Sequence, residues 1–357
     1  MGQSDDRMQA FWNKKATVSY ILAVLVVALH TYAYYYYAPL GDSWIAKVDE
    51  AFRFLKDDLF ARVAVPLFLL ISGYLFFVNF TMDKYKTKLK SRVKTLLIPY
   101  LIWNTVGMLF QIATSLPFFA KYFVGRQPFE LSIKNILYSV FFWRGYGPNW
   151  FLFALMVFAV ISPLIYFLIK NKYVGAIFIS VLIVLYQFGI ELPAELFLNS
   201  DCIFYYLIGA YIAIHFRNCL TDRSTLCERV VCTALFVAAM VMYGLYKSET
   251  LPIPRSVGVL ILSIAAYTFW KVCDWFVKGK SPRPFLKRSF MVYLTHLNIV
   301  AVISKLIYLA LPKTAAFYIP NVIVSVTLTL VMINLFCIAL KKISPRLYGI
   351  VSGERGT

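Results

Sequence analysis

Charge is scarce in this chain of 357 residues: Asp, Glu, Lys and Arg together make up 15% of it. Average globular proteins carry about 25%. Acidic residues are the rarest part, 17 against 36 basic ones, and there are three histidines. The polar surface of a water-soluble monomer is therefore missing. A hydrophobic share of 61%, an aromatic share of 18% and a mean hydropathy of +0.70 point to lipid as the solvent. The same composition excludes disorder. The six cysteines (Cys202, Cys219, Cys227, Cys232, Cys273, Cys337) lack CxxC spacing and an alternating histidine partner, so neither a zinc site nor a disulfide framework is signalled and no metal is expected. Also lacking is a small-x-small cleavage site after the polar start MGQSDDRMQAFWNKK, and the apolar run that follows is too long for a signal-peptide core. The first helix is expected to remain as an anchor.

What the sequence has in abundance is apolar runs of membrane-spanning length. They fall near 16–38, 59–80, 95–116, 149–169, 173–190, 202–216, 229–246, 252–270, 290–310 and 319–340. This predicts an all-α integral membrane protein, a bundle of about ten transmembrane helices. A cytoplasmic segment 1–15 and a cytoplasmic tail 341–357 flank a transmembrane domain at 16–340. The fifth and sixth runs are short, and either could extend through Leu192–Asn199. The net charge of +19 suggests nucleic acid at first sight, but Lys and Arg sit in short clusters between apolar runs. That pattern sets topology instead, and no nucleic-acid partner is expected. With the N-terminus inside, 24 Lys and Arg fall on the cytoplasmic side and 10 on the other, which puts both termini in the cytoplasm. The two left over, Arg62 and Lys305, lie within helices. A cation at the centre of a bilayer costs roughly 2.5–3.5 kcal/mol, so each must snorkel, pair or line a wet cavity.

The longest external stretch, Pro117–Asn149, is aromatic and punctuated by Pro and Gly, and predicts an interfacial helix or a cap over a cavity. No internal repeat and no matching pair of broken helices is visible, which weakens an inverted-repeat transporter.

Two histidines lie inside expected helices. His30 is about 20 Å along the first one, in its outer half. His296, in FMVYLTH, falls on the cytoplasmic side of the ninth. Each could be a buried imidazole with one hydrogen bond, or a titratable group placed for chemistry, His30 then serving as general base toward a hydroxyl. His215, at the cytoplasmic end of helix six, reads as an interface anchor. Pro66 and Ser72-Gly73-Tyr74 mark the second helix as a place where another helix or a ligand approaches closely. The six basic residues from Lys84 to Lys94 read either as a contact with anionic membrane lipids or as a phosphate site, Arg92 and Lys94 standing near a helix N-terminus. Trp150, Asn149 and the run Tyr34–Tyr37 could stack on a sugar, and an interfacial aromatic belt accounts for Trp150 and the tyrosines as well.

Taken in order, His30, RVAVPLFLLISGYLF (62–76), KSRVKTLLIPYLIW (90–103), GPNWFLFAL (147–155), YYLIGAYIA (205–213) and SFMVYLTH (289–296) resemble the integral-membrane acyltransferase 3 family. This family includes sugar O-acetyltransferases of bacterial surface polysaccharides. The resemblance implies transfer of an acyl group, usually acetyl from cytoplasmic acetyl-CoA, to a hydroxyl of a lipid-linked or surface glycan in a bacterial cytoplasmic membrane. It implies that His30 matches the catalytic histidine, which acts either as base toward the acceptor hydroxyl or as acceptor of the acyl group before passing it on. Many members carry an arginine before it with ten residues between, and here that position is Ser19, so Lys15 or Arg62 would supply the positive charge. On this reading the CoA phosphates meet Lys90, Arg92 and Lys94, and the pantetheine arm passes Tyr293 and His296. Arg62 stabilises the oxyanion, and Ser72, Asn149 and Trp150 bound the acceptor. The rival readings are a glycan or acyl-group exporter without chemistry, and a membrane sensor or scaffold with a degenerate site.

Overall fold

The computed structural model describes residues 2–38, 40–41, 43–120, 129–142, 147–190, 200–277 and 281–353, and among them every regular element is helical. In chain order these are α1 (Gly2–Leu29), α2 (Ala33–Tyr37), α3 (Trp44–Arg53), α4 (Ala64–Phe77), α5 (Tyr85–Arg92), α6 (Ile98–Ser115), α7 (Pro117–Ala120), α8 (Ile133–Phe141) and α9 (Trp150–Val160). There follow α10 (Ser162–Ile169), α11 (Lys172–Gln187), α12 (Asp201–His215), α13 (Asn218–Thr221), α14 (Leu226–Lys247), α15 (Arg255–Val272), α16 (Ser289–Ala310), α17 (Tyr318–Ile343) and α18 (Pro345–Ser352). The suggested extension through Leu192–Asn199 and the parts of the external stretch at 121–128 and 143–146 lie outside the described residues.

Seven helical stretches are long and apolar enough to cross a membrane, among them Arg7–Tyr37, Trp44–Phe77, Met82–Ser115 and Pro284–Ala310. The pair α9 and α10, bent by 64° at Ile161, makes an eighth if it counts as one span. Ser162 and Pro163 open α10, and proline cannot donate to the preceding turn, which is where the axis breaks. The fifth and sixth of the expected ten, α11 and α12, are 16 and 15 residues long. Each therefore reaches only about 23–24 Å, short of a hydrocarbon core of about 30 Å. Most of α12 is buried among other helices rather than facing outward.

Two expected loops are helix. The stretch Trp44–Arg53, read as external because its charges interrupt the hydropathy, continues through a wide π turn (Phe54–Leu59) and a tight 3-10 turn (Phe60–Val63) into α4. Its charges pair along the helix, Arg53 with Asp58 at 3.0 Å and Arg62 with Asp58 at 3.5 Å. The basic run Lys84–Lys94 likewise joins α6 through a π turn at Val93–Leu97. Arg92 and Lys94 thus stand in a continuous helix and not at a free N-terminus, which corrects the dipole part of the phosphate argument.

The core forms where α4 meets α12. A Cβ on Gly73 would fall 2.2 Å from the Tyr206 carbonyl oxygen, and one on Gly209 would fall 2.0 Å from that of Leu70. The motifs LISGY and YYLIGA are therefore two halves of one close helix crossing, the small-residue contact that membrane helices use. Around it pack Tyr74, Phe76, Phe77, Phe158 and Tyr206, all buried. Gly209→Ala is expected to cost about 1–3 kcal/mol, because the two backbones must separate. Thermal unfolding of the purified protein in detergent measures it, and an unchanged midpoint would contradict the packing.

Both described termini lie at one end of the bundle. Met8, Ser352 and Gly353 line a common cavity there, and the Trp103 indole donates to the Val351 carbonyl at 3.0 Å, holding α18 against α6. Gly353 takes φ +62° over Thr95, in the left-handed region where glycine ends a helix freely.

Candidate active site

The two histidines, expected at different depths, meet. Their ring centroids are 5.2 Å apart. The reason lies at the start of α16: Phe285, in the turn that leads into it, packs on Tyr20 of α1 at 5.3 Å. The helix thus starts level with the second turn after Lys15, and the two turns from Ser289 to His296 bring it beside the end of α1.

His296 is fully buried. Its Nδ1 lies 2.8 Å from the Tyr293 carbonyl oxygen and 3.2 Å from that of Val292. A carbonyl can only accept, so Nδ1 carries the proton and Nε2 presents its lone pair. Among the described residues Nε2 has no partner. A buried acceptor without a donor, set against a second imidazole, can accept a hydrogen bond from a hydroxyl.

His30 follows the last residue of α1, and the geometry of that end is fixed at the Ala28 carbonyl. This oxygen accepts from Thr31 Oγ1 at 2.8 Å and from Lys56 Nζ at 2.9 Å. Lys56 also pairs with Asp57 and is buried. A cation at a helix C-terminus satisfies orphan carbonyls and complements the dipole. Lys56 was counted among external loop charges by its sequence context. The π turn at Phe54–Leu59, which adds a residue to the turn, places its ammonium against the last turn of α1. No hydropathy signal marks this, although an i, i+1 Lys-Asp pair beside an apolar run is a clue to burial.

Toward the termini, a cavity of about 210 Å³ is walled by Ser19, Ser72, Phe151, Tyr293, Lys15 and Arg92, among others. It shares Lys15, Leu75, Arg92, Leu96 and Phe290 with a wider basin of about 870 Å³ that opens beside Met8, Lys84, Lys88 and Ser352. Among the described residues neither wall contains an Asp or Glu, and the charged side chains that line the basin are all basic. Lys88 additionally closes α4 by donating to the Phe76 and Val78 carbonyls. The inner cavity ends at Tyr293, one turn before His296, and the ring centroids of these two residues are 6.3 Å apart.

The site residues suggested by sequence divide accordingly. His30 and His296 meet, with Tyr293, Ser72 and Arg92 along the cavity that leads to them. Ser19, where the resemblance expects arginine, opens onto this cavity, and Lys15 lines the same wall. Lys90 and Lys94 are exposed on other faces of their helix and line neither space. Arg62 is exposed and pairs with Asp58, so the buried cation at the end of α1 is Lys56 instead. Asn149, just before α9, is fully buried, its amide nitrogen donating to Asn104 Oδ1 of α6 at 2.8 Å while its own Oδ1 has no partner among the described residues. Trp150 packs edge-on against Phe151 and on the core. The Tyr34–Tyr37 run is an inward cluster more than a belt: Tyr37 is buried and Tyr36 stacks on Tyr308 at 4.7 Å. Lys305 lies over Tyr36 at 4.5 Å, and His215 bonds the Ile169 carbonyl at 2.8 Å, joining α12 to α10.

Comparison with known proteins adds three findings. A family model described as an acyltransferase domain matches residues 20–340. The succinoglycan biosynthesis protein ExoH of Rhizobium meliloti (strain 1021) is 24% identical over 316 residues, covering 85% of this chain and 81% of that protein. No solved structure matches the chain.

Proposed function

This chain belongs to the acyltransferase family, and from that premise we propose that it moves an acyl group from a cytoplasmic acyl-CoA, acetyl-CoA first among them, to a hydroxyl of a surface or lipid-linked glycan. The observation that carries this reading is a wide basic basin that narrows into a cavity ending at Tyr293, one turn short of a pair of facing histidines. The name of ExoH supports a polysaccharide acceptor. The bias of Lys and Arg supports a cytoplasmic position for the end with the termini, the resemblance supports a bacterial membrane, and α11 and α12 would complete a bundle of ten helices.

On this reading the phosphates of CoA lie among Lys15, Lys84, Lys88 and Arg92, and the pantetheine arm follows the cavity past Ser72 and Tyr293. The acceptor hydroxyl sits between the imidazoles. His30 takes its proton as the oxygen attacks the thioester carbonyl. The C–S bond then breaks, and the imidazolium returns the proton to the leaving thiolate. His296, held by the Tyr293 carbonyl in the tautomer that leaves a lone pair on Nε2, accepts a hydrogen bond from a neighbouring hydroxyl of the same sugar and so orients the ring. Lys56 is a positioning residue, fixing the end of α1 and adding positive charge near the developing oxyanion.

The test is transfer of label from [¹⁴C]acetyl-CoA to extractable glycan in membranes. Arg92→Ala is expected to raise KM for acetyl-CoA about tenfold or more, the worth of one charge-assisted hydrogen bond, with a smaller change in kcat. Lys90→Ala, on an exposed face, is expected to stay within about twofold of wild type. Equal effects of the two would remove the basin from the donor site, and no label above empty membranes would favour an exporter.

A further inference from the structure

Beyond the histidine pair, on the side away from the basic basin, the chain turns back and encloses a second, smaller pocket. After His30 the chain forms α2, then α3 folds against it, and the start of α17 closes the third side. The pocket measures about 210 Å³, and its wall includes Tyr34, Tyr37, Ala46, Asp49, Glu50 and Tyr318. Besides the Tyr37 hydroxyl, which is buried with no partner among the described residues, two polar groups in this wall are buried without a use. Asp49 is 7% exposed and meets no hydrogen-bond donor among the described residues. The Tyr318 hydroxyl, on a side chain 1% exposed, has no partner among them either. Burying such groups unsatisfied is costly, and in this place both border an open space.

We propose that this pocket is the acceptor subsite and takes a single sugar ring of a hydroxyl-rich glycan. The proposal rests on the acyl-transfer reading and adds to it the place from which the acceptor arrives. Carboxylates accept hydrogen bonds from sugar hydroxyls, and the Tyr318 phenol can give or accept one. The rings of Tyr34 and Tyr37 offer apolar surface to the C–H face of the sugar. The volume is small against the roughly 300–1,000 Å³ of sites for drug-sized ligands, which suits one ring and leaves the rest of the glycan outside. The position follows from the fold: Tyr34 is one turn after His30 in the chain, whereas Met8, at the other end of α1, lines the donor basin. Donor and acceptor thus reach His30 from opposite ends of the helix that carries it.

The experiment uses the source organism with its own copy of the gene deleted and restored as wild type, Asp49→Ala, Tyr318→Phe or Ala46→Trp. The last variant fills the pocket from the exposed start of α3 and leaves the buried groups untouched. The ester content of the surface glycan is read by NMR, and retention of [¹⁴C]acetyl-CoA by membranes reports the donor site. Ester content is expected to fall about tenfold or more for Asp49→Ala and Ala46→Trp, and less for Tyr318→Phe, with donor retention unchanged. Full ester content with Ala46→Trp, or donor retention falling in step with ester, would overturn the assignment. Transfer that depends on an added divalent cation, and loses this dependence in Asp49→Ala, would give the pocket to a cation instead. Wild type that retains donor but restores no ester would overturn glycan acylation itself.

Discussion

His30→Ala is expected to lower acyl transfer by about 10²–10⁴-fold, the range that a positioned general base contributes. KM for acetyl-CoA should change little, because the basic basin lies at the far end of α1 from His30. His296→Ala separates the roles of the two rings. If His296 orients the sugar through Nε2, its loss reduces kcat, and His296→Gln, whose amide can also accept a hydrogen bond, recovers part of it. A covalent route through an acyl-imidazole gives a different result: with acceptor withheld, labelled acyl would remain on wild-type protein and not on His30→Ala. The double variant should be no worse than His30→Ala alone if the two act in one step, and multiplicative losses would argue against a shared step. An active His30→Ala protein would remove the histidine pair from the chemistry altogether.

How far this site can be read from sequence depends on what kind of signal marks each residue. His30 and His296 stand out because an imidazole in an apolar run is rare, and the family motifs mark both. Their meeting is invisible to such reasoning. Sequence gives each histidine a depth within its own helix, and only the contact of Phe285 with Tyr20 sets α16 against α1 in register. Gly73 was legible as a close approach, and its partner Gly209 lay in another motif with nothing in the sequence to pair the two. Lys56 was lost for the opposite reason. Hydropathy treats Asp49, Glu50, Arg53, Lys56, Asp57 and Asp58 as a solvent loop, whereas ion pairing and a π turn keep this stretch helical and turn Lys56 inward. Asn149 spends its amide nitrogen on a helix contact, a demand that composition does not record. Apolar pattern thus finds the helices, and it misjudges those places where charges satisfy one another.

Removing Asp274 is expected to have the largest effect on stability. Its Oδ1 lies 2.6 Å from Lys14 Nζ, and both side chains are almost wholly buried, at 4% and 8% exposure. Its Oδ2 accepts from the Ser224 hydroxyl at 2.6 Å and from the Ser224 backbone at 3.1 Å. Lys14 also lies over the Trp270 ring at 4.5 Å, and the Trp270 indole donates to the Leu220 carbonyl. One carboxylate thus ties α1, the segment after α13 and the end of α15 together. Asp274→Leu leaves a buried ammonium without its counter-charge, for which about 3–5 kcal/mol is expected. Lys14→Met should cost less, since Asp274 keeps two hydrogen bonds from Ser224. The double variant Lys14→Met/Asp274→Leu should recover much of the loss, because no unpaired charge remains. Thermal unfolding in detergent gives the cycle, and additive losses would show that the pair is not coupled. The pair also bears on function: Lys15 is the next residue and lines both the basin and the inner cavity. Asp274→Leu should therefore raise KM for acetyl-CoA even in protein that stays folded, and the double variant, with α1 seated again by apolar packing, should bring it back toward wild type.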